Sequence, residues 1–233
     1  MSTALVQKRV TVLLAALTAS VSCTTRRVTP SDHDHGIETA TAGGALATAR
    51  FGDGVPPSSA NVAQRLAASP RHSEWVMIKA GPNDSVRAWL VYPERSTKAP
   101  VVVVIHEIFG LSTWVRGIAD QLAADGYIAI APDLLTGKGR LQGDTLAYDI
   151  ARTAIQTLKR DDVQRQLAAT GRYGMSLPAA LPKYGVVGFC WGGSTSFAHA
   201  VMSPDGLGAA VVYYGTSPSV QELSSVKVPV PGL

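Results

Sequence analysis

The chain has two cysteines, Cys23 and Cys190, and the second stands in Gly188-Phe189-Cys190-Trp191-Gly192-Gly193. Glycine two before and two after a nucleophile is what a tight strand-to-helix elbow needs, because a side chain at either place would collide with neighbouring backbone. An elbow would set the Cys190 sulfur at the N-terminus of the following helix, where the macrodipole favours thiolate, and this makes it a candidate nucleophile for acyl transfer. A small buried packing cysteine is the ordinary alternative, and the flanking glycines weigh against it. A second ionisable group, Glu107, lies in His106-Glu107-Ile108-Phe109-Gly110. A loop carboxylate taken alone is more often solvated or ion-paired than catalytic. His106 directly follows a strand-like run, so its side chain should point opposite to that of Glu107, and we read it as a loop histidine.

These groups need a scaffold that brings them to one edge. Val101 to Ile105 is five consecutive β-branched residues without alternation, the pattern of a strand buried on both faces of a parallel sheet. Before it, Glu74–Ala80 and Val86–Tyr92 flank the turn Gly81-Pro82-Asn83-Asp84 and predict an antiparallel hairpin. After it, Val115, Ile118, Ala119 and Leu122 predict an amphipathic helix starting at Ser112 or Thr113 and stopping at Gly126. Tyr127–Ala131 reads as a strand, Pro132–Gly143 as a polar loop, and Ile150, Ala154, Ile155 and Leu158 show helical spacing. Gly185–Phe189 reads as a strand, Gly192–Met202 as a helix and Ala209–Tyr214 as a strand. Strands alternating with helices predict an α/β domain with a mostly parallel central sheet and helices on both faces.

The strand with His106-Glu107-Ile108-Phe109-Gly110, the loop Ala131-Pro132-Asp133-Leu134 and the Cys190 elbow together resemble the dienelactone hydrolase family of the α/β-hydrolase fold, from about Glu74 to the last residue. The resemblance implies a hydrolase that opens a carboxylic ester or lactone with a cysteine–histidine–aspartate triad and without metal or organic cofactor. It implies Cys190 as nucleophile, Glu107 as the glutamate that contacts the resting thiol and helps activate it, and the backbone N–H groups of Ile108 and Trp191 as oxyanion hole. Two preorganised donors of that kind contribute a few kcal/mol to lowering the barrier. The partner is then a small-molecule ester or lactone of unknown identity, and no substrate-binding residue is assigned.

In this fold acid and histidine follow the nucleophile on later loops. Only 43 residues follow Cys190, and the run Val226-Lys227-Val228-Pro229-Val230 resembles the start of the next strand. The family's aspartate would come just after that run, and its histidine later still. His199 falls on the elbow helix and is read as a surface or packing histidine, while Asp205 falls before a strand, at the wrong end of the sheet. The expectation is an incomplete domain lacking its C-terminal strands, with an unpaired apolar edge at Ala209–Tyr214 or beyond it, poor stability and little turnover. A non-catalytic binding module or pseudo-enzyme on the same scaffold stays open as the alternative.

Composition limits the remaining choices. With 46% hydrophobic and 16% charged residues, the chain is neither disordered nor a coiled coil. A net charge of +4 gives no nucleic-acid surface. Lys8 and Arg9 precede the apolar stretch Val10–Val21, so residues 1–22 read as an export signal, too short to span a bilayer comfortably. Export to the periplasm or outside the cell follows. Either cleavage after the small residues Ser20–Ser22 or lipidation of Cys23, which would attach the protein to a membrane, fits this leader. From Ser31 to Pro70, 24 of 40 residues are Gly, Ala, Ser, Thr or Pro, so 23–71 read as a flexible tether and 72–233 as the α/β domain. His33 and His35 on that tether are read as solvated, not as metal ligands. The triplet Gly137-Lys138-Gly139 falls short of a dinucleotide fingerprint. Lys138 and Arg140 are loop cations at the edge where ligands bind, where they could attract an anionic substrate, and solvation is their ordinary reading.

Overall fold

The computed structural model describes residues 55–232. The leader, Cys23, His33 and His35 lie outside the described residues, as does the tether up to residue 54. Six strands form one sheet: β1 (Ser73–Gly81), β2 (Asp84–Val91), β3 (Ala99–Ile105), β4 (Ile128–Asp133), β7 (Ala180–Phe189) and β8 (Leu207–Tyr213). Their spatial order is β1-β2-β4-β3-β7-β8. The hairpin β1–β2 is antiparallel and joins β4 antiparallel, whereas β4, β3, β7 and β8 are mutually parallel. This is an α/β-hydrolase-like sheet. A miniature hairpin, β5 (Leu141–Gln142) and β6 (Thr145–Leu146), interrupts the loop after β4.

The helices are α1 (Val62–Ala67), α2 (Thr113–Ala124), α3 (Tyr148–Ala154) with a 3-10 turn at Ile155–Thr157, α4 (Arg160–Ser176), α5 (Trp191–Met202) and α6 (Val220–Leu223). On one side of the sheet the core gathers Val103, Ile105, Ile130, Leu167 and Tyr184; on the other it gathers Val104, Val115, Ala119, Ala129 and Phe189. The Val101–Ile105 run is responsible for both, since alternate residues of one buried strand face opposite layers. Helix α2 starts where expected, with the Ser112 hydroxyl accepting the Val115 N–H at 3.4 Å as N-cap.

Three observations depart from the sequence reading. Helix α4 has no counterpart in it, because beyond Val163 and Leu167 its buried face continues through Gly171 and Gly174 instead of further large apolar residues. A Cβ on Gly171 would sit 2.5 Å from the Tyr184 ring, and one on Gly174 would sit 2.6 Å from Val101, so the helix approaches the sheet through its glycines and leaves little periodic signal. Second, the tether does not reach residue 71. Val62 of α1 is buried over Gly117 of α2, Arg71 forks onto Asp120 at 3.0 and 2.6 Å, and the Trp114 indole donates to the Pro57 carbonyl at 3.0 Å. The packed unit therefore begins before Pro57. Third, the β8 edge is covered: Ala210 and Val212 N–H donate to the Pro229 and Pro231 carbonyls at 3.1 and 3.0 Å, and Val226, Val228 and Val230 pack on the core. Prolines at 229 and 231 have no N–H to return, so this run accepts hydrogen bonds from β8 and pairs with it only at the parallel bridge Val212–Gly232. Among the described residues no helix is long and apolar enough to cross a membrane.

Candidate active site

Strand β7 ends at Phe189 and α5 begins at Trp191, so Cys190 alone makes the turn. It does so at φ 56° and ψ −117°, a backbone state that a residue with a Cβ holds only where its surroundings impose it. Those surroundings are specific. The Cys190 N–H donates to the Tyr213 carbonyl at 3.0 Å, and the Cys190 carbonyl accepts the Ser194 N–H at 3.1 Å as the first bond of α5. A Cβ on Gly192 would lie 2.5 Å from the His106 carbonyl oxygen, and one on Gly188 would run into the Gly192 carbonyl. Backbone cannot swing aside, so both glycines are required for the elbow to form against the end of β3. The Cys190 thiol is free and half-buried.

The loop after β3 meets the elbow from the other side. The N–H groups of Ile108 and Trp191 donate to no protein acceptor among the described residues. For Trp191 the reason is its place in the first turn of a helix, whose N–H groups have no partner within the helix. The side chains of both residues pack on a separate apolar cluster of Leu135, Leu146, Ala151, Ala154 and Ile155, so the segment after β4 props both donors from below.

Glu107 is half-buried, and its carboxylate accepts a hydrogen bond from the Tyr214 hydroxyl at 3.1 Å. Tyr214 directly follows β8 and carries a positive φ of 40°, rare for an aromatic residue. Burial, and after it the neighbouring Glu107 charge, pushes its phenol up to about 12. The sequence reading took Tyr214 as the end of a strand and gave it no role at the site. The available signal was its position, the first residue past a parallel strand at the same edge as the elbow, followed by Gly215.

The histidines fall away from this group. His106 is fully buried, with Nδ1–H donating to the Glu107 carbonyl at 2.7 Å and Nε2 accepting the Leu134 N–H at 3.2 Å. That pairing is the neutral tautomer, and burial lowers its pKa further from the protonated form. Its ring stacks on Trp191 at 5.7 Å. Nearby Asp133 is buried at the end of β4, and desolvation raises its carboxyl. His199 is a packing histidine: buried on α5, it accepts from the Tyr184 hydroxyl at 2.9 Å and donates to Gln164 Oε1 at 2.7 Å. Asp205 is exposed in the turn before β8, at the opposite end of the sheet, and Lys138 and Arg140 are exposed on the loop after β4.

Beside the elbow, between α4, α5 and the loop after β8, a cavity of roughly 290 Å³ is lined by Trp191, Ser194, Thr216 and Glu222 among others. A larger and more apolar groove of roughly 420 Å³ lies over Val101, Tyr184 and Gly208, towards the strand beginnings, away from the thiol. Chemistry belongs to the strand ends, where a ligand meets the elbow.

A mostly parallel sheet carrying a thiol on a glycine-flanked strand-to-helix elbow, with unengaged backbone donors on both sides of it, defines the chain as an α/β-hydrolase-fold protein. The profile of the dienelactone hydrolase family matches residues 86–233, and the chain belongs to that family. It is 30% identical over 148 residues to the "Putative carboxymethylenebutenolidase" of Yersinia pestis, covering 63% of this chain and 55% of the relative. Against the protein of the same name in Escherichia coli strain K12 it is 28% identical over 180 residues, covering 76% of this chain and 66% of the relative. The chain thus spans between about half and two thirds of these relatives' length. In fold it is similar to the crystal structure of a "Putative Dienelactone Hydrolase" from Klebsiella pneumoniae, with TM-score 0.59, 23% identity and coverage of 70% of this chain and 71% of that one.

Proposed function

We propose that the protein is an exported thiol hydrolase of carboxylic esters or lactones, of the carboxymethylenebutenolidase type, in which Cys190 forms the acyl intermediate. The observation that carries this reading is the strained Cys190 backbone at φ 56°, held by Tyr213, Gly188 and Gly192 so that the sulfur stands at the N-terminus of α5. In the acylation step the Cys190 thiol gives its proton to the Glu107 carboxylate, and the sulfur adds to the substrate carbonyl carbon. The Ile108 and Trp191 N–H groups receive the oxyanion. Collapse expels the alkoxide, which takes up a proton and in a lactone stays attached through the opened ring. Water then cleaves the thioester and restores the thiol. Family membership favours a hydrolase over a non-catalytic binding module. The leader-like residues 1–22 support export, with membrane attachment through lipid on Cys23 as one of its two forms.

Acylation is the step to measure. Treated with p-nitrophenyl acetate, the chain is expected to release p-nitrophenol with an acetyl group retained on the peptide containing Cys190, and Cys190→Ala is expected to lose both signals. Release at the parent rate by Cys190→Ala would sink the proposal.

A further inference from the structure

Among the described residues the Glu107 carboxylate meets a hydrogen-bond donor only at Tyr214. That contact joins residues 107 positions apart and links the loop after β3 to the end of β8, on either side of β7 and its elbow. The tyrosine reaches it from a backbone state that costs free energy to hold, about 1 kcal/mol or more for a bulky residue. The neighbourhood enforces that state. Thr216 N–H donates to the Ser194 hydroxyl at 2.8 Å, and a Cβ on Gly193 would lie 2.5 Å from the Tyr213 carbonyl oxygen, so the turn after β8 is clamped onto α5. Strain held in place by several contacts marks a side chain whose aim matters. Tyr214 also senses both neighbours, since the charges of Glu107 and Cys190 each disfavour its ionisation.

We propose that Tyr214 is a positioning residue for Glu107: its hydroxyl holds the carboxylate ionised at Oε1 and thereby keeps the Cys190 thiol protonated at rest. This rests on the reading of Glu107 as the thiol's proton acceptor. A hydrogen bond to a carboxylate lowers its affinity for a proton, so, with Glu107 read as the thiol's acceptor, the proton rests on sulfur until substrate arrives. Removing the hydroxyl raises that affinity and shifts the proton towards Glu107, leaving more thiolate. Tyr214 lies beside both groups, since it donates to Glu107 and feels the Cys190 charge, while His106, stacked against Trp191, is buried and neutral.

The test is alkylation by iodoacetamide, followed from pH 5 to 9 on the full chain carrying Cys23→Ser, so that only Cys190 reacts. Tyr214→Phe, which keeps the ring beside Phe189, is expected to speed alkylation at pH 6 to 7 by about three- to tenfold, the range set by the net worth of one solvent-exposed hydrogen bond. On a Glu107→Gln background the same substitution is expected to change nothing. Glu107→Gln alone, with Tyr214 intact, is expected to move the alkylation curve to lower pH, because a negative charge beside the sulfur is gone. Equal acceleration by Tyr214→Phe on both backgrounds, no acceleration on either, or an unmoved curve for Glu107→Gln would overturn the proposal. Alkylation needs no turnover. If Tyr214→Phe behaves as stated while Cys190→Ala still hydrolyses p-nitrophenyl acetate, the positioning role survives and the hydrolase reading fails.

Discussion

His199 should make the fold sensitive to mild acid. It is 1% exposed, and burial lowers its pKa from 6.5 to about 4. Its neutral form is built into the structure: Nε2 takes the Tyr184 hydroxyl, Nδ1–H goes to Gln164, and Gln164 Nε2 donates on to the Thr195 carbonyl at 3.3 Å. In the unfolded chain the same imidazole takes up a proton below about pH 6.5, whereas the folded protein refuses it until about pH 4. The unfolded state therefore binds more protons across that window, and stability falls as pH falls through it. At about 1.4 kcal/mol per pH unit, the window corresponds to about 3 kcal/mol, absent above pH 6.5 and complete below pH 4. His199→Asn keeps a donor for Gln164 but strands the Tyr184 hydroxyl, so it should cost about 1–3 kcal/mol at pH 7. It should then lose about 3 kcal/mol less than the parent between pH 7 and pH 4. The His106–Asp133 pair titrates in both proteins and cancels in the difference. Urea denaturation followed by circular dichroism at pH 7, 6, 5 and 4 reads both effects. Two curves that fall in parallel with pH would refute the assignment of this proton to His199.

Gly192→Ala should remove acylation by p-nitrophenyl acetate and lower stability by about 1–3 kcal/mol, because the new Cβ meets the His106 carbonyl oxygen at 2.5 Å and only backbone movement relieves it; stopped-flow release of p-nitrophenol together with a denaturation curve checks both. Asp120→Ala should strand the Arg71 guanidinium and the Ser69 hydroxyl, which donate to it at 2.6 and 2.5 Å. A loss of about 2–3 kcal/mol is expected from breaking this largely buried pair, with residues 55–71 becoming the first segment cut in limited proteolysis.

The sequence signalled the sheet wherever burial on two faces left an unbroken apolar run, as at Val101–Ile105, and signalled the elbow because its glycines must stand at fixed distances from Cys190. It was silent where contact is made by the absence of a side chain. Helix α4 lies against Tyr184 and Val101 through Gly171 and Gly174, and after Val163 and Leu167 no apolar periodicity announces a face built of hydrogens. Helix α1 was hidden for a similar reason: its short, Ala-rich sequence docks one buried valine over Gly117, and composition alone resembled a tether. At the site, the alternation argument placed His106 and Glu107 on opposite sides, and the two side chains do part there, His106 into the fold and Glu107 towards Tyr214. What pairs with each of them was not readable, since Leu134 and Tyr214 lie 28 and 107 residues away and are brought near only by strand order.

That strand order explains why the site can be rigid although most of its groups sit on loops. Four strand ends frame the site, and each is tied to another by a hydrogen bond that bypasses the loops. The Leu134 N–H after β4 reaches His106 after β3; the Cys190 N–H after β7 reaches Tyr213 of β8; and Tyr214 after β8 reaches back to Glu107 after β3. Trp191 stacked on His106 completes the ring between the elbow and the β3 loop. Backbone strain at Cys190 and Tyr214 is tolerated because these ties and the parallel ladder hold the strand ends in register. A substitution that cuts one tie should therefore disturb the thiol even when it lies on a different strand, since strain released at one end is no longer held at the other.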